Sequence, residues 1–261
     1  MASSEIDGRV TAAVLIIGDE ILSGRTQDTN LRDIAKYLAV HGVDLAEART
    51  VPDVHEEIIA ALDALRTRYD YVITTGGIGP THDDITADAV AAAFGVELYE
   101  HPEIIALIEE RVRSRPGAVM NAAMRRMARV PTGGELVRNP VSGPPGFMIG
   151  NVFTLAGVPS IMRGMLEDVG HRLKGGAVTV ARTVRVEGSG ESVIAAPLEA
   201  VAKAHPAMSL GSYPFFDGTI YGSNLVLRGR DPQELNATVA ELIAALQAEG
   251  VASVRELDAS A

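Results

Sequence analysis

A chain of 261 residues, 47% of them hydrophobic, is long enough for one large domain or two ordinary ones with buried cores. Its 34 acidic against 23 basic residues give a formal charge of -11, which argues against a nucleic-acid partner, because binding a polyphosphate needs a basic face that releases counterions. The absence of cysteine excludes disulfides, thiolate nucleophiles and sulfur-held zinc, fits a reducing cytoplasm, and leaves oxygen or imidazole as the ligands of any metal.

The opening Met1-Ala2-Ser3-Ser4-Glu5 has neither a basic n-region nor an apolar h-region, and no stretch approaches the roughly 18 apolar residues of a membrane span, so a cytoplasmic protein without a membrane partner is expected. Residues 10–18, centred on Val14-Leu15-Ile16-Ile17, form a short apolar run of the kind that makes a strand buried on both faces. A polar loop follows, then Leu31, Ile34, Ala35, Leu38 and Ala39 at three- and four-residue steps predict a helix that stops at His41-Gly42. The alternation repeats: a strand at 43–51, a helix at 53–66 with Ile58, Ala61, Leu62 and Leu65 inward, a strand at 71–74, and an alanine-rich helix at 85–94 ended by Gly95. Such spacing predicts a parallel sheet with right-handed crossovers.

Residues 101–135 read as helix interrupted by Arg115-Pro116-Gly117, with Met120, Met124 and Met127 either core or contact surface. An irregular Gly143-Pro144-Pro145-Gly146 precedes a hairpin or strand pair (147–149 and 152–155) around Gly150-Asn151, and Pro159 opens a helix through about Lys174. Lys174-Gly175-Gly176 is the expected boundary between domains at 1–175 and 176–261. Beyond it the pattern reads strand 177–186, helix 191–204, strands 207–212 and 219–228, helix 232–248 and strand 251–257, a split βαβ arrangement.

The segment Thr74-Thr75-Gly76-Gly77-Ile78-Gly79-Pro80-Thr81-His82-Asp83-Asp84 joins a buried strand to a helix, so in an open parallel sheet it lies at the carboxyl end, where ligands bind. Gly76, Gly77 and Gly79 permit positive φ and close approach of a ligand, and Thr75 and Thr81 add hydroxyl donors, which together suit an anion at a helix N-terminus. The pattern is neither a Walker loop nor G-x-G-x-x-G. Asp83 and Asp84 beside a phosphate call for a cation between them, so divalent magnesium, manganese or cobalt is expected on these carboxylates. Helix capping by Asp84 or Thr86 is the competing role. A second cluster, Gly18, Asp19 and Glu20 followed by Asp28-Thr29-Asn30, is expected to face the same crevice, although Asp28 suits an N-cap and Asp19-Glu20 a solvated turn. His82 suits either acid/base work or an exposed loop position.

These residues carry a resemblance. Ile17-Gly18-Asp19-Glu20-Ile21-Leu22-Ser23-Gly24, Asp28-Thr29-Asn30, the loop at 74–86 and Leu155-Ala156-Gly157-Val158-Pro159 resemble, in order, the molybdopterin-binding (MoaB/Mog-like) domain as it occurs in CinA-type proteins and in eukaryotic FAD synthases. Gly-Ser-Tyr-Pro at 211–214 resembles the small domain that follows there. The resemblance implies a three-layer α/β fold with a mostly parallel sheet, a small α+β domain after it, and homo-oligomerisation. It implies a metal-dependent pyrophosphatase acting on ADP-ribose or FAD, or alternatively adenylylation of molybdopterin, with Asp83 or Asp84, Asp19 and Asp28 as the family's acidic residues. A non-catalytic nucleotide-binding or scaffold role is the third alternative. Nothing in the sequence resembles the amidohydrolase domain of CinA proteins or the adenylyltransferase domain of FAD synthases, so deamidation and FAD synthesis are not expected of it.

Overall fold

A computed structural model describes residues 9–257; the expectation for Met1 to Glu5 lies outside the described residues. The chain divides into two compact units between Gly176 and Ala177. In the first, the elements run β1 (Val10–Ile17), a short α1 (Asp19–Leu22), α2 (Asn30–Val40), β2 (Val43–Val51), α3 (His55–Arg66), β3 (Tyr71–Thr75), α4 (Thr86–Phe94), β4 (Leu98–Glu100), α5 (Pro102–Arg113), α6 (Ala122–Arg126), β5 (Arg129–Pro131), β6 (Glu135–Val137), β7 (Gly146–Ile149), β8 (Val152–Leu155) and α7 (Pro159–Gly170).

The unit is three layers deep because its central strands are apolar on both faces. Ala13, Leu15 and Ile17 of β1 pack into one core with Ile58, Leu62 and Leu65 of α3 and Val90 of α4. The alternate residues Ala12, Val14 and Ile16 pack into the other, with Ile34 and Leu38 of α2 and Met162 and Met165 of α7. The sheet order is β2-β1-β3-β8-β7-β6. The first four strands are parallel, and β7 alone runs against them, pairing antiparallel with β8 on one side and with β6 on the other. The chain leaves β1 first to one side, for β2, and then to the other, for β3; this reversal opens a crevice at the carboxyl ends of β1 and β3, where open α/β sheets bind ligands.

Local chemistry explains where elements stop. Gly95 takes a left-handed φ of 66° and closes α4, and the Asn121 side chain accepts from the Met124 amide to start α6. The stretch read as helix over 101–135 is interrupted where Arg115-Pro116-Gly117 stands, between α5 and α6; its end differs, because β5 and the start of β6 follow α6, each strand three residues long and too short to leave a periodic signature. Residues 19–22, read as polar loop, form the helical turn α1. Met120 and Met124 pack partly buried against the first core.

The second unit runs β9 (Val180–Glu187), α8 (Glu191–Ala204), β10 (Ser209–Phe216), β11 (Tyr221–Gly229), α9 (Pro232–Ala248) and β12 (Ser253–Leu257). Its antiparallel sheet, ordered β10-β11-β9-β12, is the arrangement expected of a split βαβ unit. Val184, Val186, Leu225 and Leu227 face Ile194 and Val201 of α8 and Leu235 and Leu242 of α9 in its core. Asp231 caps α9 by accepting from the Gln233 and Glu234 amides, with Pro232 in the first turn. Among the described residues, no helix is long and apolar enough to cross a membrane.

Candidate functional site

The crevice is built by the chain ends of β1, β2, β3 and β8. The Gly18 amide donates to the Val51 carbonyl at 3.1 Å and the Gly76 amide to the Leu155 carbonyl at 3.3 Å, which ties the ends of these strands together. Gly76 has φ 107°, and a Cβ there would stand 2.1 Å from the Ile17 carbonyl oxygen. Gly77 has φ 65°, and a Cβ there would stand 2.2 Å from Thr86 Oγ1. Glycine is therefore required at 76 by the approach of the β1 backbone and at 77 by the Thr86 side chain, in addition to the positive φ of both. Gly79, expected to share the positive φ, does not; a Cβ there would meet Asp84 Oδ2 at 2.7 Å.

Thr86 does not cap α4 through its side chain; its hydroxyl donates to the Gly76 carbonyl at 2.9 Å and fastens the loop to the helix start. Asp84 is not the cap either. Its Oδ2 accepts from the Thr81 amide at 2.7 Å and the Thr81 hydroxyl at 2.5 Å, closing the loop on itself.

Asn30 is 5% exposed, and its Nδ2 donates to Thr75 Oγ1 and to the Gly157 carbonyl, both at 2.8 Å. The Thr75 hydroxyl in turn donates to the Ala156 carbonyl at 3.0 Å. Three separate loops are joined at this point, and the Asn30 Oδ1 is left buried without a partner. The Asp28 carboxylate accepts from the Asn30 and Leu31 amides at 3.3 and 3.0 Å and so orders the start of α2. Gly76, Gly157, Glu20, Asp28, Asn30 and Thr75 line one small recess.

A further carboxylate meets the start of α1. Asp53, which the sequence pattern places only in a helix, accepts from the Asp19 amide at 2.9 Å. Burial pushes its carboxyl above the usual range; the negative charges of Asp19, Glu20 and Asp83 push the same way, against the Asp19 amide, which favours the ionised form. Asp83 itself is held below the usual range by the Thr81 hydroxyl and its own amide, with smaller help from His82 and Arg126. His82 is almost fully exposed, its Nδ1 3.9 Å from Asp83 Oδ1.

Two arginines that the sequence does not mark complete the loop's surroundings. Arg126 of α6 donates through Nε and Nη2 to the Asp84 carbonyl at 3.0 and 2.9 Å, and Arg129 forms a two-pronged pair with Asp88 at 2.8 and 2.7 Å. Arg126 lines a pocket with Gly77, Ile78, Gly79 and Asp84. Nothing in the local sequence marks Arg126, because the contact that gives it a role spans 42 residues.

Among the described residues, no three acidic or imidazole side chains converge as a ready-made metal cage. The donor set nevertheless suits a hard cation: all candidate ligands are carboxylate oxygens, and at Asp53 the charges of three neighbouring carboxylates reinforce one another. Magnesium is commonly held by one or two carboxylates with substrate phosphate and water completing its shell, which is the mode these residues fit.

Residues 13–175 match the family described as a probable molybdopterin binding domain, and residues 179–255 match the FAD synthase middle domain. A CinA-like protein of Gemmatimonas aurantiaca is 37% identical over 216 residues, covering 78% of this chain and 50% of its own length. The chain spans half or less of the length of several such CinA-like relatives. A protein of Caldivirga maquilingensis is 31% identical over 89% of this chain and 93% of its own length. Among solved structures, CinA of unknown function from Thermoplasma acidophilum superposes with a TM-score of 0.58 at 31% identity, over 63% of this chain and 98% of that one. The chain accordingly belongs to the molybdopterin-binding-domain family in its CinA-like form, with an FAD-synthase-middle-type domain following in the same chain.

Proposed function

We propose that the crevice at the ends of β1 and β3 hydrolyses a phosphoanhydride in a nucleotide such as ADP-ribose or FAD, with a divalent ion of the magnesium, manganese or cobalt kind. The observation that supports this most is the acidic set Asp19, Glu20, Asp53 and Asp83 at the mouth of the glycine loop, whose repulsion is felt at Asp53. Carboxylates concentrated beside a phosphate cradle lower affinity for an anion unless a cation joins the two. Asp83 and Asp53 are the groups that would hold the ion, since the side chain of Asp84 is engaged by Thr81. When bound, the ion supplies charge neutralisation at the anhydride and lowers the pKa of a nearby water.

The protein's own residues do the rest. The amides of Gly77, Ile78 and Gly79 orient the phosphate oxygens, and Arg126, fixed on the Asp84 carbonyl, holds the loop in the conformation that presents them. Asn30 and Asp28 act behind this surface by fixing the backbone on which it rests. Incubation with ADP-ribose or FAD and magnesium, manganese or cobalt tests the reading through AMP release. A second reading, binding or adenylylation of molybdopterin, is favoured by the family description itself. It predicts a pterin that co-purifies with the protein, detected by fluorescence, and AMP transfer from ATP in place of AMP release from ADP-ribose.

A further inference from the structure

A recess of about 510 Å³ lies between the carboxyl end of α5 and residues 142–145. Its size is that of a small-molecule site. Much of its lining is apolar, supplied by Ile78, Met127, Pro144, Pro145 and Ile161. One wall is ordered without a ligand, because Asn139 accepts from the Val141 and Ser142 amides at 3.1 and 3.2 Å and donates to the Pro144 carbonyl at 3.0 Å.

The charged lining is of one sign. Arg111 and Arg115 both line the recess, with Ser114 between them. Their four-residue spacing brings them to one side of the chain at the end of α5, whereas Arg113, two residues from each, does not line it. Among the described residues, no carboxylate lines the recess and neither guanidinium has a charged or aromatic partner. Nearby Arg125, Arg126 and Arg129 each pair with a carboxylate. Two guanidiniums left unpaired beside one apolar hollow stand out in a chain with 34 acidic residues against 23 basic. The helix dipole accounts for Arg111, in the last turn of α5, but not for Arg115, which lies past the helix.

The two halves of the lining select together. An inorganic anion would satisfy the arginines and leave the apolar surface wet, and an uncharged apolar body would cover that surface and leave the arginines without a counter-charge. We propose that this recess binds an amphipathic organic anion, a carboxylate or phosphate monoester carried on an aromatic or aliphatic body. Arg111 and Arg115 take the acid group, and Ile78, Met127 and Ile161 take the body. The ligand is additional to the phosphoanhydride assigned to the crevice, and the proposal stands without that assignment.

Calorimetric titration of the full chain with 1-naphthyl phosphate and with 1-naphthoate, in the presence of a chelator, tests it. Inorganic phosphate and 1-naphthalenemethanol serve as the anion without a body and the body without a charge. The expected result is that at least one naphthyl anion binds wild-type protein with a stoichiometry of one and about tenfold or more tighter than either control. Preference between the two anions identifies the acid group that the arginines take. Arg111→Ser/Arg115→Ser should weaken that anion to the level of 1-naphthalenemethanol, and Arg113→Ser should bind as wild type. Wild-type affinity in the double variant overturns the proposal. So does wild-type protein that binds the naphthyl anions no better than the neutral body, or no better than inorganic phosphate.

Discussion

Asn30 and Thr75, 45 residues apart in sequence, meet through a 2.8 Å hydrogen bond at the carboxyl end of the first sheet, and the same Asn30 amide group reaches the Gly157 carbonyl. This contact makes the crevice a preformed feature, because it fastens the ends of β3, β8 and the start of α2 to one another. Asn30→Ala should cost about 1–3 kcal/mol, the range for leaving buried polar partners unpaired, read as a lower thermal midpoint. Asn30→Asp should cost more, since a buried carboxylate would confront the Gly157 carbonyl. An Asn30→Ala midpoint equal to wild type would remove the structural role given to this residue.

The two kinds of glycine at the site separate cleanly. Gly24 has φ 72° and open space for 4 Å around the position a Cβ would take, so Gly24→Ala meets only the backbone penalty of the left-handed region, about 1 kcal/mol. At Gly76 a Cβ would lie 2.1 Å from the Ile17 carbonyl oxygen, and neither strand can yield without breaking the parallel pairing of β1 with β3. Gly76→Ala should therefore destabilise several-fold more than Gly24→Ala in urea denaturation; equal costs would contradict the close approach.

Asp53 links stability to pH. Its folded pKa lies above the unfolded value, so its stabilising contribution is full below the usual carboxylate range and is lost as pH rises through the raised value. At neutral pH the ionised group opposes folding. Asp53→Asn, which can still accept from the Asp19 amide, should raise the urea midpoint at neutral pH, and the gain should vanish in acid. Turnover should be lost at the same time, a trade of stability for activity expected of a functional carboxylate.

Asp83 and Asp84, adjacent in sequence, should part company under mutation. Asp84→Ala removes both bonds from Thr81 and should loosen the loop, read as increased proteolytic cleavage at 78–83 and a lower thermal midpoint. Asp83→Ala should lower the midpoint far less than Asp84→Ala, since the group is exposed, and should abolish turnover. Because the Thr81 hydroxyl and its own amide hold Asp83 below the usual range, its charge should persist as pH falls until that lowered value is reached.

What the sequence reveals depends on range. Val14-Leu15-Ile16-Ile17 and the three- and four-residue spacing of Leu31, Ile34 and Leu38 reflect burial that each element imposes on its own residues, so the strands and helices of the first unit are legible. The glycine loop is legible because backbone geometry restricts it to glycine locally. Asp53 and Arg126 are not, since a carboxylate near a helix start and an arginine in a five-residue helix acquire meaning only from Asp19 and Asp84 across the fold. Asp28 and Asn30 read as facing the crevice, but the sequence does not tell a side chain directed at a ligand from one directed at neighbouring amides and carbonyls.

The most direct test of phosphoanhydride hydrolysis is chromatographic measurement of AMP formed from ADP-ribose by wild-type protein and by Asp83→Ala, each with magnesium, manganese or cobalt and again with a chelator. The account predicts AMP from wild-type protein with at least one of these metals, none with chelator, and none from folded Asp83→Ala. Absence of AMP from wild-type protein with every metal, or equal release by Asp83→Ala, would contradict it.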